Sequence, residues 1–481
     1  MHQDGDVWQR LSPRMLLVHP VHEVLRQIPL LIGSVVLGSA TGSPLWTLLG
    51  LALIVGYGVA RWFTTSYRID SEDVRLRTGV LQRKVLAVPR NRIRSVSTDA
   101  RLLHRLLGLT VLRLSTGQEA RGDAGFALDA VEAEQVPRLR AILLADSLVP
   151  AEDETMGRLL ARWQPSWLRY SPLSFTGLAM IAAAVGVAYQ AGAGAALQDS
   201  RLARSGVAAA ERFGVAASLI VVAVVVLSAS VVLSVLRSLV TYGNLVLRRD
   251  ADLLHLEHGL LRVRERTFDM RRLRGGTLRE PLLVRIFGGA RLDAVMTGVE
   301  GAGEASLLLP PCPRATAETV LSELIARPDL LSGPLRGHGP AARRRRWTRA
   351  LALPSVLLIA MVVLHSRTPV WTWPAWAVLT VCCALLAADR ARALGHRVDA
   401  DWLVARAGSL ERRRDCIAAE GIIGWTVRQT LLQRRAGVAT LIAASAAGVK
   451  RYQVIDVPAD IAWTVAAAAS PWVADNAWAR R

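Results

Sequence analysis

Three times along the 481-residue chain a glycine is followed 29 residues later by another: Gly79 and Gly108, Gly259 and Gly288, Gly408 and Gly437. A bulky aliphatic stands 14 residues past the first glycine each time, as Ile93, Leu273 and Ile422. A Leu-Leu pair precedes the second glycine at one offset: Leu102-Leu103, Leu282-Leu283 and Leu431-Leu432. A fixed interval with matching chemistry inside it argues for three copies of one domain. Whatever this chain folds into must therefore be built from one unit used three times.

Between the copies the character of the chain changes. Apolar residues make up 52% of the sequence and mean hydropathy is +0.30. The excess collects in long uncharged runs, the pattern of membrane-crossing segments. Residues 27–62 read as a first hairpin, with spans at roughly 27–41 and 45–62 divided by Gly42-Ser43-Pro44. Residues 171–236 read as a second hairpin and 350–388 as a third. Ahead of them, residues 1–26 form a lead-in in which Leu16 to Arg26 suits either a surface-lying helix or the flank of the first span. No early apolar core follows the start, so no cleavable leader is expected.

The copies themselves read as residues 66–146, 242–328 and 396–473. In the first, Val74, Leu76 and Thr78 alternate with Arg75 and Arg77, the period of a half-buried strand. Gly79 suits a tight turn. Asp99 is placed to cap a short helix in which Leu102, Leu103, Leu106 and Leu107 share a face, and Gly108 suits its C′ position. Residues 128–144 read as a closing helix, as do 314–326 in the second copy and the stretch from Pro458 in the third. Residues 329–349 read as a Gly/Pro/Arg linker.

The net charge is +20, from 59 Lys+Arg against 39 Asp+Glu. Such a balance suits nucleic acid or an anionic membrane surface, and with apolar spans present the lipid reading needs no nucleic acid. Basic residues are sparse in the hairpin loops and dense in the repeats. By the positive-inside rule the N-terminus and all three repeats face the cytoplasm of a plasma membrane. The run Arg343, Arg344, Arg345, Arg346 reads as a topology signal. Cys312, Cys382, Cys383 and Cys416 lack ligand spacing and are expected as free thiols.

The text from Ser66 to Gly117 resembles the bacterial pleckstrin-homology (PH) domain of YdbT-like membrane proteins. Tyr67, the strand–Gly79 turn, Pro89-Arg90-Asn91-Arg92-Ile93 and Leu106-Leu107-Gly108-Leu109 carry the resemblance. The second copy has Asp269 where Pro89 stands, and the third has Gly421-Ile422 for Arg92-Ile93. The resemblance implies a bent antiparallel sheet closed by a C-terminal helix. The fold class expected is thus membrane α-helical hairpins plus mostly-β, PH-like α+β domains in threefold tandem repeat.

Two positions are basic in every copy. Five residues past the first glycine stand Lys84, Arg264 and Arg413, accompanied by Arg83, Arg262, Arg266, Arg412 and Arg414. Three before the second glycine stand Arg105, Arg285 and Arg434. The first set suits contact with anionic headgroups or a partner, or a strand edge protected by charge. The second suits the last turn of a helix. His104, His255, His258, His338 and His396 have no partner at ligand spacing and read as surface or turn residues. No catalytic, metal or cofactor motif is present. The expectation is a non-enzymatic membrane scaffold that binds partner proteins or anionic lipid, with a role in cell-envelope upkeep following from the resemblance alone. The alternative is a transporter or export accessory, which the uncharged spans disfavour.

Overall fold

The computed structural model describes residues 8–14, 45–115, 126–143, 157–190 and 212–474, with short breaks inside these ranges. The surface helix and first span read over 16–41 lie outside the described residues. In chain order, the first repeat comprises β1 (Gln9–Arg10), α1 (Leu45–Thr64), β2 (Ser66–Ile69), β3 (Asp73–Thr78), β4 (Lys84–Pro89), β5 (Ser95–Ala100), α2 (Leu102–Leu106), β6 (Leu109–Ser115) and β7 (Ala127–Glu132). The second comprises β8 (Arg158–Arg162), α3 (Thr176–Ala188), α4 (Val215–Tyr242), β9 (Val246–Asp250), β10 (Leu253–His258), β11 (Val263–Asp269), β12 (Leu273–Pro281), α5 (Leu282–Ile286), β13 (Gly289–Met296), β14 (Leu307–Pro313) and α6 (Arg314–Ile325). Then come α7 (Asp329–Ser332), α8 (Gly339–Val363), α9 (Thr372–Ala393), β15 (Gly395–Asp399), β16 (Trp402–Ala407), β17 (Glu411–Ala418), β18 (Ile422–Arg428), α10 (Leu431–Arg435), β19 (Val438–Ser445), β20 (Arg451–Pro458), α11 (Ala462–Ala469) and α12 (Pro471–Ala474).

The chain forms two compact units, one of residues 1–162 and 240–272, the other of 163–239 and 273–481. The boundary at Arg272 and Leu273 therefore falls between the two halves of the second repeat.

In the first unit, β1-β2-β3-β4 form one antiparallel sheet and β7-β6-β5-β11-β10-β9-β8 another. Their inward faces share a core of Tyr67, Val74, Leu76, Val88, Ile93, Val96, Leu112 and Leu128, closed by Val136, Leu139 and Leu143. Leu128 lies in β7, so the closing helix read from residue 128 begins only after Glu132. Leu128 and Val131 are buried as strand residues on the core, a placement the local apolar run did not distinguish from a helix.

In the second unit, β14-β13-β12-β17-β16-β15 form a six-stranded sheet and β18-β19-β20 a three-stranded one. Leu403, Ile417, Ile422, Leu441, Tyr452, Val454 and Val457 pack with Val465 and Ala466 of α11. Helix α6 buries Val320, Leu321, Leu324 and Ile325, the stripe its sequence carries. The stretch read as a linker is structured. Leu330 and Leu331 of α7 are buried, and α8 starts at Gly339, carrying the arginine run inside a helix with Arg346 buried.

Each first glycine turns its hairpin with positive φ: +122° at Gly79, +110° at Gly259 and +102° at Gly408. A Cβ there would strike the carbonyl oxygen three residues on, of Gln82, Arg262 or Glu411. The same steric demand in each copy explains the repeated residue.

Among the described residues, three helices are long and apolar enough to cross a membrane: Val215–Tyr242, Gly339–Val363 and Thr372–Ala393. The 3-10 turns of Pro165–Ser174 and the helix Gly177–Val187 form a pair bent by 52°. Gly177 lets α3 approach α4 closely. Its N–H donates to Ser234 Oγ at 2.8 Å, and Ser230 and Ser234 are buried. Such small-residue contacts bring apolar helices together without a hydrophobic drive. Pro354 lies inside α8, and Trp376 of α9 donates its indole N–H to the Pro354 carbonyl at 2.9 Å.

Candidate functional site

The most informative feature is where the basic residues lie relative to strand pairing. β11, in the second repeat, pairs antiparallel with β5 of the first. β17, in the third, pairs in the same way with β12 of the second. These strands are therefore not edges, and charge at their starts does not protect them against pairing. Each repeat shares a backbone ladder with its neighbour, and the arginines line these two seams.

In the first seam Arg262 forms a bidentate pair with Asp99, and Arg113 approaches the same carboxylate at 3.7 Å. Asp99 lies in β5 and does not cap α2, since its side chain is turned across the seam. Burial alone raises its carboxyl pKa. The Arg262 guanidinium, with Arg113 and Arg264 behind it, outweighs burial and holds the group below its ordinary value. Thr98 Oγ1 donates to Glu265 at 3.3 Å, and Arg105 donates to the Leu260 carbonyl at 3.1 Å. Arg264 and Arg266 are half-buried on β11.

The second seam repeats the plan with different residues. Thr277 Oγ1 donates to Asp415 at 2.8 Å, and burial pushes the Asp415 carboxyl pKa up. Arg279 lies 2.7 Å from Asp293 and 3.1 Å from Glu411. Arg413 is 3.8 Å from Asp415. Arg414 is buried and donates to the Leu331 carbonyl. Asp389, in the last turns of α9, accepts from Arg412 at 2.6 Å and from Arg285 at 2.7 Å. Of the residues expected to meet headgroups or a partner, Arg262, Arg412, Arg413 and Arg414 thus have carboxylate or carbonyl partners inside the protein. Arg83 and Lys84 are exposed at the start of β4.

The modules also close the ends of the apolar helices. The Leu260 N–H donates to the Val240 carbonyl at 3.0 Å, and His258 Nδ1 lies 2.8 Å from the Thr241 carbonyl. Arg406 donates to the Ala393 and Arg392 carbonyls at 2.9 and 3.2 Å. Terminal carbonyls that a helix cannot satisfy itself are met by the following sheet.

Four of the five histidines read as surface residues are buried: His104, His258, His338 and His396. His338 Nε2 and His396 Nδ1 lie 2.8 Å apart, and His338 Nδ1 lies 2.8 Å from the Ile455 carbonyl. Beside them Arg346 pairs with Asp456 at 2.8 Å and Arg345 approaches it at 3.5 Å. Two of the four arginines read as a topology signal are thus turned inward onto a carboxylate. Spacing could not reveal this cluster, because its members are separated by up to about 120 residues in sequence. Among the described residues no group of three or more His, Cys, Asp or Glu is arranged to hold a metal.

Apolar side chains stand exposed beside the seams. They are Leu103, Leu106 and Leu261 in the first unit and Ile286, Phe287 and Leu410 in the second; Leu431 and Leu432 are likewise exposed on α10, which follows β18 at the end of its sheet. The shared leucine face expected on α2 is therefore not a core face at Leu103 or Leu106.

Antiparallel sheets followed by a helix, repeated in tandem, are the pattern of a protein built from PH-like modules. A model of the bacterial PH domain matches residues 24–147, 193–327 and 349–468. The chain belongs to the bacterial PH domain family. No curated protein and no solved structure matches it significantly.

Proposed function

We propose that this is a non-enzymatic, multi-pass plasma-membrane protein of the YdbT-like kind. Its three PH-like modules all lie on the cytoplasmic side as a binding platform for partner proteins or anionic lipid. One observation carries the reading. In each repeat the strand or bridge before the apolar segment pairs with the strand after it: Arg10 with Ser66, Arg162 with Val246, and Arg336 with His396. Paired residues of antiparallel strands lie only about 5 Å apart. A chain that enters and leaves an apolar insertion at one point crosses the bilayer an even number of times. Every module then lies on the side where the chain began. The concentration of arginine in the modules supports the cytoplasm as that side.

The surface beside the seams supports the platform. Asp389 is bound to Arg285 and Arg412, so α5 and the β16–β17 turn stand at the foot of α9. Ile286, Phe287 and Leu410 are exposed there with guanidinium groups alongside. Apolar tips flanked by arginine suit the headgroup boundary or the apolar rim of a membrane partner. The PH fold supports a binding role and does not fix the ligand.

The test is side-specific labelling in sealed membrane vesicles. With native cysteines replaced, Leu106→Cys, Phe287→Cys and Leu432→Cys should all react with an impermeant maleimide from the cytoplasmic face. Trp371→Cys, between α8 and α9, should react only from the other face. Labelling of Leu106→Cys and Leu432→Cys from opposite faces would overturn the reading. A photo-crosslinker at Phe287 should capture lipid or a protein partner in native membranes, and a probe that captures neither removes the platform.

A further inference from the structure

The two seams share one register. In each, the residue twelve before a second glycine faces the residue eight after the next first glycine: Val96 faces Thr267, and Gly276 faces Cys416. The pairing is thus a property of the repeat, retained although the side chains in the two seams differ.

This leaves one donor strand and one acceptor strand over. β4 is the counterpart of β11 and β17, and it ends its sheet. β18 is the counterpart of β5 and β12, and it too ends its sheet. Among the described residues neither has a strand on its outer side. Their exposure agrees: Val85 is 54% and Ile423 68% exposed. At the seams, by contrast, Thr267, Phe268, Thr98, Thr277 and Cys416 are buried. Each open edge presents backbone N–H and C=O groups that face away from its sheet, a template for a further strand.

We propose that β18 of one chain pairs antiparallel with β4 of a second copy, in the register of the internal seams. Trp425 then faces Ala87, Thr426 faces Leu86, Val427 faces Val85, and Arg428 faces Lys84. The contact joins two different surfaces of the same protein. It is head-to-tail, so copies close into a ring or extend as a row. This association is independent of the membrane reading above.

The charges set its strength. At the position of the Arg428–Lys84 pair, the first seam holds Asp99 opposite Arg264. The second holds Arg279 opposite Arg413, with Asp293, Glu411 and Asp415 beside them. At the open edges the counterparts of these three acids are Ile442, Gln82 and Leu86. The contact between copies therefore carries a like-charge pair and lacks the acids that offset it in the second seam. It is weaker than the internal seams, and added salt strengthens it.

The test uses the full chain in detergent micelles or nanodiscs, with native cysteines replaced. Chains carrying only Val85→Cys are mixed with chains carrying only Val427→Cys under mild oxidation. A mixed disulfide dimer should form faster than either chain dimerises alone, and faster than Val427→Cys with Ala87→Cys. A chain carrying both cysteines should give dimers and larger species. Light scattering should show Lys84→Glu and Arg428→Glu each tightening association about fivefold, as a like-charge pair becomes an opposite one. The double variant should return to the original weakness or below. No mixed dimer, a crosslink confined within one chain, or single reversals that weaken association would each overturn the proposal.

Discussion

Asp456 is fully buried in β20 and holds the foot of α8 to the third repeat. Its Oδ2 lies 2.8 Å from Arg346, its Oδ1 lies 3.5 Å from Arg345, and Gln433 Nε2 donates to Oδ1 at 2.8 Å. Its backbone is left-handed, with φ +58°. Asp456→Ala removes one member of a buried pair, which costs about 3–5 kcal/mol, because the guanidinium charge remains buried. Alanine in the left-handed region adds roughly 1–2 kcal/mol. Asp456→Asn keeps the Gln433 bond and tolerates that backbone, so it loses the charge alone and falls at the lower end. Adding Arg346→Met to Asp456→Asn removes the stranded charge and should recover much of the loss. Hydrogen exchange of the full chain in nanodiscs reads this locally. Protection in β19, β20 and the first turns of α8 should fall by about a thousandfold or more for alanine, since each tenfold is about 1.4 kcal/mol. Protection within tenfold of the parent for both Asp456 variants, or no recovery when Arg346→Met is added, would refute the view that this pair joins α8 to the sheet.

Further outcomes follow from the same geometry. Gly259→Ala should cost more than about 2 kcal/mol, because the turn needs positive φ and the Cβ meets the Arg262 carbonyl; Gly56→Ala, in open space on α1, should be neutral or stabilising by exchange or thermal unfolding. Burial of His396, with His338 and Arg336 near it, lowers its pKa from 6.5 to about 4. The unfolded chain then binds the extra proton first, so stability falls as pH drops from 6.5 towards 4, by about 3 kcal/mol at most; unfolding midpoints at pH 7 and pH 4.5 check the sign, and His396→Gln should flatten the change. Burial pushes the Cys312 and Cys416 thiols up to about 12, so neither should react with maleimide at pH 8 until the chain unfolds.

How far the sequence alone reaches is clear from particular residues. Alternation at Val74 and Leu76 marked a strand, and the stripe Val320, Leu321, Leu324, Ile325 marked a helix, because each pattern is set by neighbours within a few residues. At Leu128 and Val131 the same local run suited helix or strand, and burial against the core selected strand. For Asp99, the helix that follows suggested a cap, while the carboxylate in fact meets Arg262 from another repeat. The histidines misled for a related reason: the polar environment of His338 comes from Ile455 and His396, far away in the chain.

The sequence by itself determined that one unit is used three times, where its turns fall, and that apolar segments separate the copies. Glycine conformation, side-chain period and hydropathy are properties of short stretches, and so they survive in the bare string of letters. Only the tertiary structure decided which strand lies beside which, and so whether an arginine faces solvent or a carboxylate of the neighbouring repeat. Backbone ladders accept any strand that arrives in register. The choice of partner is therefore made by the packing of whole modules and is not written in any one segment.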